Sequence, residues 1–374
     1  MKSVPIDLPV KPNEAAALAD LIFQYAEGRL LTDEIRNRLN GRLNALELTG
    51  MVPFMGSLQK DPIHTSAYYI AVDATSERGT ESMLLRMALA SSPASALFPD
   101  PILIGRMRPG GGREIVVNAI PFAATDYQNI RTFADRIDRS FYPRPQGTQS
   151  AISVAIERPE TAIPAAFEAF RSISRKYGVN WASFTAPPGT SSEAIYCSAV
   201  WAAIRAGWRE GYNLGVALPE DFEGAQRTVL GARGFTRFSA PANAERLFDF
   251  IQDIKSPSLS SKYFDFELSL TASPGPTQPE EIMEHLERLK TAGRSAQLIA
   301  PKLASLDGVA ELAAAARQCN ATLSFYLDGN PSEQTLQQIG RATGGRFNVT
   351  VDEGPGTRSD VVDRIVSLAG DLRG

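Results

Sequence analysis

The chain has only two histidines, His64 and His285, and two cysteines, Cys197 and Cys319, among 374 residues. That scarcity excludes a metal centre built on several imidazoles, and it excludes a disulfide framework. Basic charge is not in excess either: 38 Lys and Arg stand against 42 Asp and Glu, a net charge of -4. Nucleic acids and anionic membranes are recognised by a basic footprint, so neither is an expected partner. Long apolar runs are missing. None approaches the roughly 18–20 residues that span a bilayer. The opening Met1-Lys2-Ser3-Val4-Pro5-Ile6-Asp7 lacks the apolar core of a secretory leader. A cytoplasmic location is therefore expected. What remains is an ordinary globular composition, 43% hydrophobic and 21% charged, which supports a packed core.

Residues 1–145 read as an N-terminal α+β domain, and residues 146–374 as a (β/α)8 barrel of the TIM type. In the first part, helical patterns run from Glu14 to Glu27, from Asp33 to Leu48, from Glu81 to Ala90 and from Asp126 to Ile137. A strand is predicted at Tyr68–Asp73. Two more, Ile102–Met107 and Glu114–Ile120, flank Arg108-Pro109-Gly110-Gly111-Gly112-Arg113. The three glycines suggest a phosphate loop, but such a loop leads into a helix, and here a strand follows. A β-hairpin is the better reading. After Pro143-Arg144-Pro145, strands at Ala151–Ile156, Trp181–Ala186, Tyr212–Ala217, Phe235–Ser239, Phe264–Leu270, Ala296–Ala300, Thr322–Leu327 and Arg346–Val351 alternate with helices. Such alternation argues for parallel β/α units, and eight of them fit a closed barrel. A doubly wound sheet would want a glycine-rich first turn, which Glu157-Arg158-Pro159-Glu160 is not.

A barrel carries its site at the C-terminal ends of its strands. Asp265, Glu267 and Ser269 share one face of strand five, taken as inward. Glu267 is the first catalytic candidate, and Tyr326 and Asp328, of common parity on strand seven, could share its acid–base work. The bland alternatives are a core Glu paired with a base, a core Tyr, and a turn at Asp328-Gly329-Asn330-Pro331. Glu157, Arg158, Ser269, Lys302 and Asp352 are the candidates for substrate binding. No residue is assigned to a metal.

Four stretches carry a resemblance to a known family. They are Pro143-Arg144-Pro145-Gln146-Gly147, Ala206-Gly207-Trp208-Arg209-Glu210-Gly211-Tyr212, Ala232-Arg233-Gly234-Phe235-Thr236, and Phe264-Asp265-Phe266-Glu267-Leu268-Ser269-Leu270 with Pro279-Glu280-Glu281. In order and spacing they resemble the tagaturonate/fructuronate epimerases. The resemblance implies a barrel that epimerises a sugar acid with the help of a divalent metal. This chain departs from the family pattern at Gly215-Val216-Ala217-Leu218, at Ala240-Pro241-Ala242-Asn243 and at Tyr326-Leu327-Asp328-Gly329, where the family has Asp- and His-type residues. Glu267 matches, and Glu157-Arg158 matches with a shift of one. Three readings follow: a divergent sugar or sugar-acid epimerase or isomerase, a non-catalytic barrel that binds a carbohydrate or a protein, and a different lyase or hydrolase on the same barrel.

Overall fold

The computed structural model describes residues 6–7, 20–21, 24, 37–38, 51–54, 57–61, 66–73, 82–91, 98, 102–107 and 114–372, apart from 188–190, 242–244, 258–262, 328–330 and 354–357. They fall into two compact units, Met1–Phe141 with Val200–Arg209, and Tyr142–Ala199 with Glu210–Gly374.

The first unit contains a mostly antiparallel sheet. Its strands are β1 (Ile6–Asp7), β2 (Met51–Pro53), β3 (Gln59–Lys60), β4 (Ser66–Asp73), β5 (Ser82–Leu89), β6 (Ile102–Met107) and β7 (Ile115–Pro121), in the order β1-β6-β7-β5-β4-β2 with β3 also on β4. β6 and β7 pair antiparallel, as the hairpin reading expected, although the turn at 108–113 lies outside the described residues. Helix α1 (Tyr127–Arg136) follows. Of the two earlier predicted helices, residues 20, 21, 24, 37 and 38 are helical and the rest lie outside the described residues.

The helical reading of Glu81–Ala90 is corrected: Ser82–Leu89 within it forms strand β5. Met83, Leu84, Leu85 and Met87 are good helix formers, which favoured the helical reading. The run is nevertheless paired on both edges, to β4 and β7, and nearly every side chain is buried. A short, continuously apolar segment has no period to tell the two states apart, and sheet context decides.

The second unit is a closed barrel of eight parallel strands. In chain order these are β8 (Ala151–Ala155), β9 (Ala182–Ala186), β10 (Asn213–Ala217), β11 (Arg237–Pro241), β12 (Asp265–Ser269), β13 (Leu298–Ala300), β14 (Thr322–Leu327) and β15 (Phe347–Asp352). Between and after them lie α2 (Pro159–Tyr177), α3 (Ser192–Ala206), α4 (Phe222–Gly231), α5 (Glu245–Lys255), α6 (Pro279–Thr291), α7 (Val309–Gln318), α8 (Glu333–Thr343) and α9 (Arg358–Asp371). Local chemistry sets their ends. Pro159 and Pro279 start α2 and α6 with acidic residues in the first turn. Asp221 and Ser332 cap α4 and α8 by accepting from Gly224 N and Thr335 N. Gly178 and Gly344 end α2 and α8 in the left-handed conformation.

Strand β11 begins two residues later than the sequence suggested. The chain first turns at Gly234 and Phe235, where the buried Lys255 ammonium donates to the carbonyls of Arg233 and Phe235. Burial lowers that lysine to about 7. The turn is tight against α3: a Cβ on Gly234 would lie 2.3 Å from the Tyr196 ring, itself stacked on Tyr142. Gly234→Ala is therefore expected to destabilise the barrel by about 1–3 kcal/mol, since ring and turn must both yield. Urea unfolding checks this, and an unchanged midpoint would show that Tyr196 moves freely.

Hydrophobic core lies between strands and helices. Alternate residues, Ile152, Val154, Phe184, Leu214, Phe238, Phe266, Leu268, Phe325 and Val349, are buried there, with Phe167 and Phe170 of α2 packed on Phe184. Cys197 is buried and no disulfide joins it to Cys319. Among the described residues no helix is long and apolar enough to cross a membrane.

Candidate active site in the barrel interior

The other set of alternate residues faces inward. Contacts between non-adjacent strands prove it, because only side chains inside the barrel can make them. Tyr326 of β14 donates its hydroxyl to Glu267 Oε1 of β12. Arg237 of β11 donates from Nη2 to Thr185 of β9 and, at 3.1 Å, to Ser153 Oγ of β8. Asn213 of β10 donates to Asp265 of β12 at 2.9 Å. Strand register then places Ser239 beside Glu267, Ser324 beside Asn348, and Tyr326 beside Thr350. Interiors of such barrels are usually filled by Val, Ile and Leu. This one is lined by hydroxyls, amides and charges.

The interior is graded along its axis. At the N-terminal end Asp265, 2% exposed, accepts from the backbone N–H groups of Gln146 and Gly147 at 2.6 and 2.9 Å and from Asn213. It ties the segment entering β8 across the floor, a position where polar residues serve stability. Burial raises its carboxyl to about 6, although the two N–H groups, Arg237 and Asn213 all pull it down. Midway, Arg237 is fully buried and runs over Gly215, where a Cβ would stand 2.5 Å from its Nε. Glycine there leaves the guanidinium its path. Above lie Glu267, Ser239 and Tyr326. Glu267 is 0% exposed, and its Oε2 has no hydrogen-bond partner among the described residues. Tyr326 shows 37% of its surface at the mouth, while its hydroxyl turns inward. Burial first, then the charge and hydrogen bond of Glu267, hold that phenol far above its usual range, against the opposing pull of Arg237 and Ser239. It stays protonated and acts as a donor.

The sequence-derived candidates separate. Glu267 and Tyr326 meet. Asp328 lies outside the described residues, as do Asn243 and His64. Ser269 shares the inward parity of Glu267 at the top of β12 and bonds Thr271 at 2.9 Å. Lys302 is occupied in holding the β12–α6 loop: Nζ donates to Ser273 O at 2.6 Å, and its N–H to Thr277 Oγ1 at 2.9 Å. Arg158 is paired at 2.5 Å with Glu353, which is buried and also accepts from the N–H groups of Glu157 and Arg158 at 3.1 Å. That cluster joins the ends of β8 and β15. The Glu157 side chain and Asp352 are exposed, Asp352 acting electrostatically on Arg364. His285 is half-buried on α6 beside Glu281, away from the strands.

Arg237 is the residue the sequence reading missed. It stands at the start of β11, away from the C-terminal strand ends where a barrel site is expected. The signal was there: Arg237 and Ser239 alternate with Phe238 and Ala240, the same pattern as Asp265-Phe266-Glu267-Leu268.

The donors around Glu267 do not fit a divalent cation. One carboxylate shares its space with a protonated phenol, a serine hydroxyl and a buried guanidinium, where such ions take several anionic or neutral lone-pair ligands. Among the described residues no three His, Cys, Asp or Glu side chains converge as a metal site.

Fold and interior together define a (β/α)8 barrel with a polar axis and a buried carboxylate–phenol pair near its mouth. No family model and no curated protein matches the chain. Solved structures of the fructuronate-tagaturonate epimerase UxaE from Cohnella laeviribosi share the architecture. The native structure superposes with a TM-score of 0.59 at 15% identity, covering 85% of this chain and 74% of that one. A form with two glycerol molecules gives 0.58 at 16% identity, covering 84% and 74%. At this identity the likeness is one of fold, and chemistry must be argued from the site.

Proposed function

We propose that the chain is a divergent sugar or sugar-acid epimerase or isomerase of the cytoplasm, acting on a uronate-type carbohydrate by proton transfer at a hydroxyl-bearing carbon next to a carbonyl. One observation carries the reading: Glu267 Oε2, fully buried and without a partner among the described residues, beside Oε1 held by the Tyr326 hydroxyl. A carboxylate oriented through one oxygen and left open at the other is placed to accept a proton. Tyr326, kept protonated, donates to the oxygen that gains charge as the proton leaves. Arg237, whose charge is felt at Tyr326, favours the resulting anion. The superposition on a sugar-acid epimerase agrees with this substrate class.

The test is solvent isotope exchange. The full chain is incubated in D2O with a panel of hexuronates and keturonates and followed by NMR. Deuterium should enter one carbon of at least one member, together with formation of its epimer. A folded chain that exchanges none of the panel overturns the catalytic reading. The second reading, a barrel that binds carbohydrate without turnover, is favoured by the complete burial of Glu267. It predicts saturable binding by calorimetry and no exchange.

A further inference from the structure

We infer that the barrel axis beneath the Tyr326–Glu267 pair is a chamber for a neutral, hydroxyl-bearing segment of the ligand, a polyol chain and not its charged end. The inference shares the site of the reading above but needs only its binding half. Glu267 Oε2, Ser324 Oγ, Asn348 Oδ1 and Thr350 Oγ1 are all buried there without a hydrogen-bond partner among the described residues. Register sets Ser324 against Asn348, and Thr350 against the Tyr326 that reaches Glu267, so the four follow one another along the axis. Buried polar atoms in folded chains are nearly all satisfied. A run of orphans in one core marks a place where something else supplies the bonds.

Size and chemistry narrow what that is. Ser324, Asn348 and Thr350 stand where bulky branched residues usually fill the axis, while Arg237 takes the space over Gly215. An apolar guest would leave every orphan unsatisfied. A carboxylate would meet Glu267 Oε2 and the Asn348 carbonyl, acceptors both. A cation would lie beside the buried Arg237 guanidinium. Groups that donate and accept at once answer all four atoms: water in the free chain, hydroxyls of the ligand in the complex. Turning the Asn348 amide over would present a donor instead, and a hydroxyl serves either face.

Xylitol is the probe, read by the thermal midpoint of the full chain and by calorimetry, with succinate as the anionic control. Polyols stabilise most proteins by exclusion from the surface, so the Ser324→Ala/Asn348→Leu double variant supplies the baseline. At saturation the wild type should gain about 3 °C beyond that baseline. Its affinity for xylitol should exceed the variant's by about tenfold or more, the scale of one lost buried hydrogen-bonded contact. Succinate should give no excess. Equal rises in both proteins, or a larger response to succinate, overturn the chamber. Should the double variant fail to fold, the isosteric Thr350→Val takes its place under the same criteria. Xylitol has no carbonyl and cannot epimerise. A chain that exchanges deuterium but shows no excess sinks this inference alone, and one that shows the excess without exchange sinks the catalytic reading alone.

Discussion

Replacing Glu267 by glutamine should lower the rate of isotope exchange by about 10^2–10^4-fold, the usual contribution of a positioned general base. The change is nearly isosteric. It removes an acceptor that can hold a proton and puts an amide in its place, so Tyr326 keeps a hydrogen-bond partner while the open position loses its basicity. Tyr326→Phe tests the other half of the pair. It deletes a donor whose hydroxyl is desolvated, and removal of one such donor costs about 10^2–10^3 in turnover where it faces developing charge. Rates are measured in D2O with whichever panel member wild type exchanges. An unchanged rate in Glu267→Gln would remove Glu267 from the chemistry and leave the pair as packing.

The second large effect is on stability. Asp265→Ala strips the acceptor from Gln146 N–H, Gly147 N–H and the Asn213 amide and removes one of the carboxylates whose charge faces Arg237. Breaking a buried charged network from one side costs about 3–5 kcal/mol. Asp265→Asn should cost less and reveal the titration. Because burial raises the folded carboxyl to about 6, the folded chain binds this proton more tightly than the unfolded chain, whose value is about 4. The stabilising contribution is complete below about pH 4 and is lost as pH rises through 6. Relative to Asp265→Asn, wild type should lose up to about 3 kcal/mol across that window, from a shift of about two units at 1.36 kcal/mol each. Urea unfolding at several pH values reads the difference. Parallel curves for the two proteins would show that Asp265 holds no displaced proton.

Much of the barrel was legible because its strands and helices announce themselves locally. Pro279 marks a helix start, Gly178 and Gly344 mark stops, and parallel β/α units admit few closed arrangements. The N-terminal unit was less legible. β5 lacks alternation, and β1, β2 and β3 are two or three residues long, too short to carry a period.

The candidate site divides in the same way. Glu267 and Tyr326 could be picked out because each is polar at a strand end with a definite parity. Arg158 and Lys302 were picked out by the same rule, yet they brace loops through Glu353 and Ser273. Sequence parity says which face a side chain takes and not which partner it meets there.

By itself, then, the amino-acid sequence determined the eight β/α units, the polar face of β12 and the scarcity of histidine and cysteine that limits metal chemistry, since all of these depend on residue type and spacing along the chain. Only closure of the barrel decided that Tyr326 meets Glu267 across 59 residues, that Arg237 reaches Ser153 across 84, and that several buried oxygens share one axis without partners among the described residues. Those are long-range pairings fixed by strand register around a ring, and no local pattern encodes them.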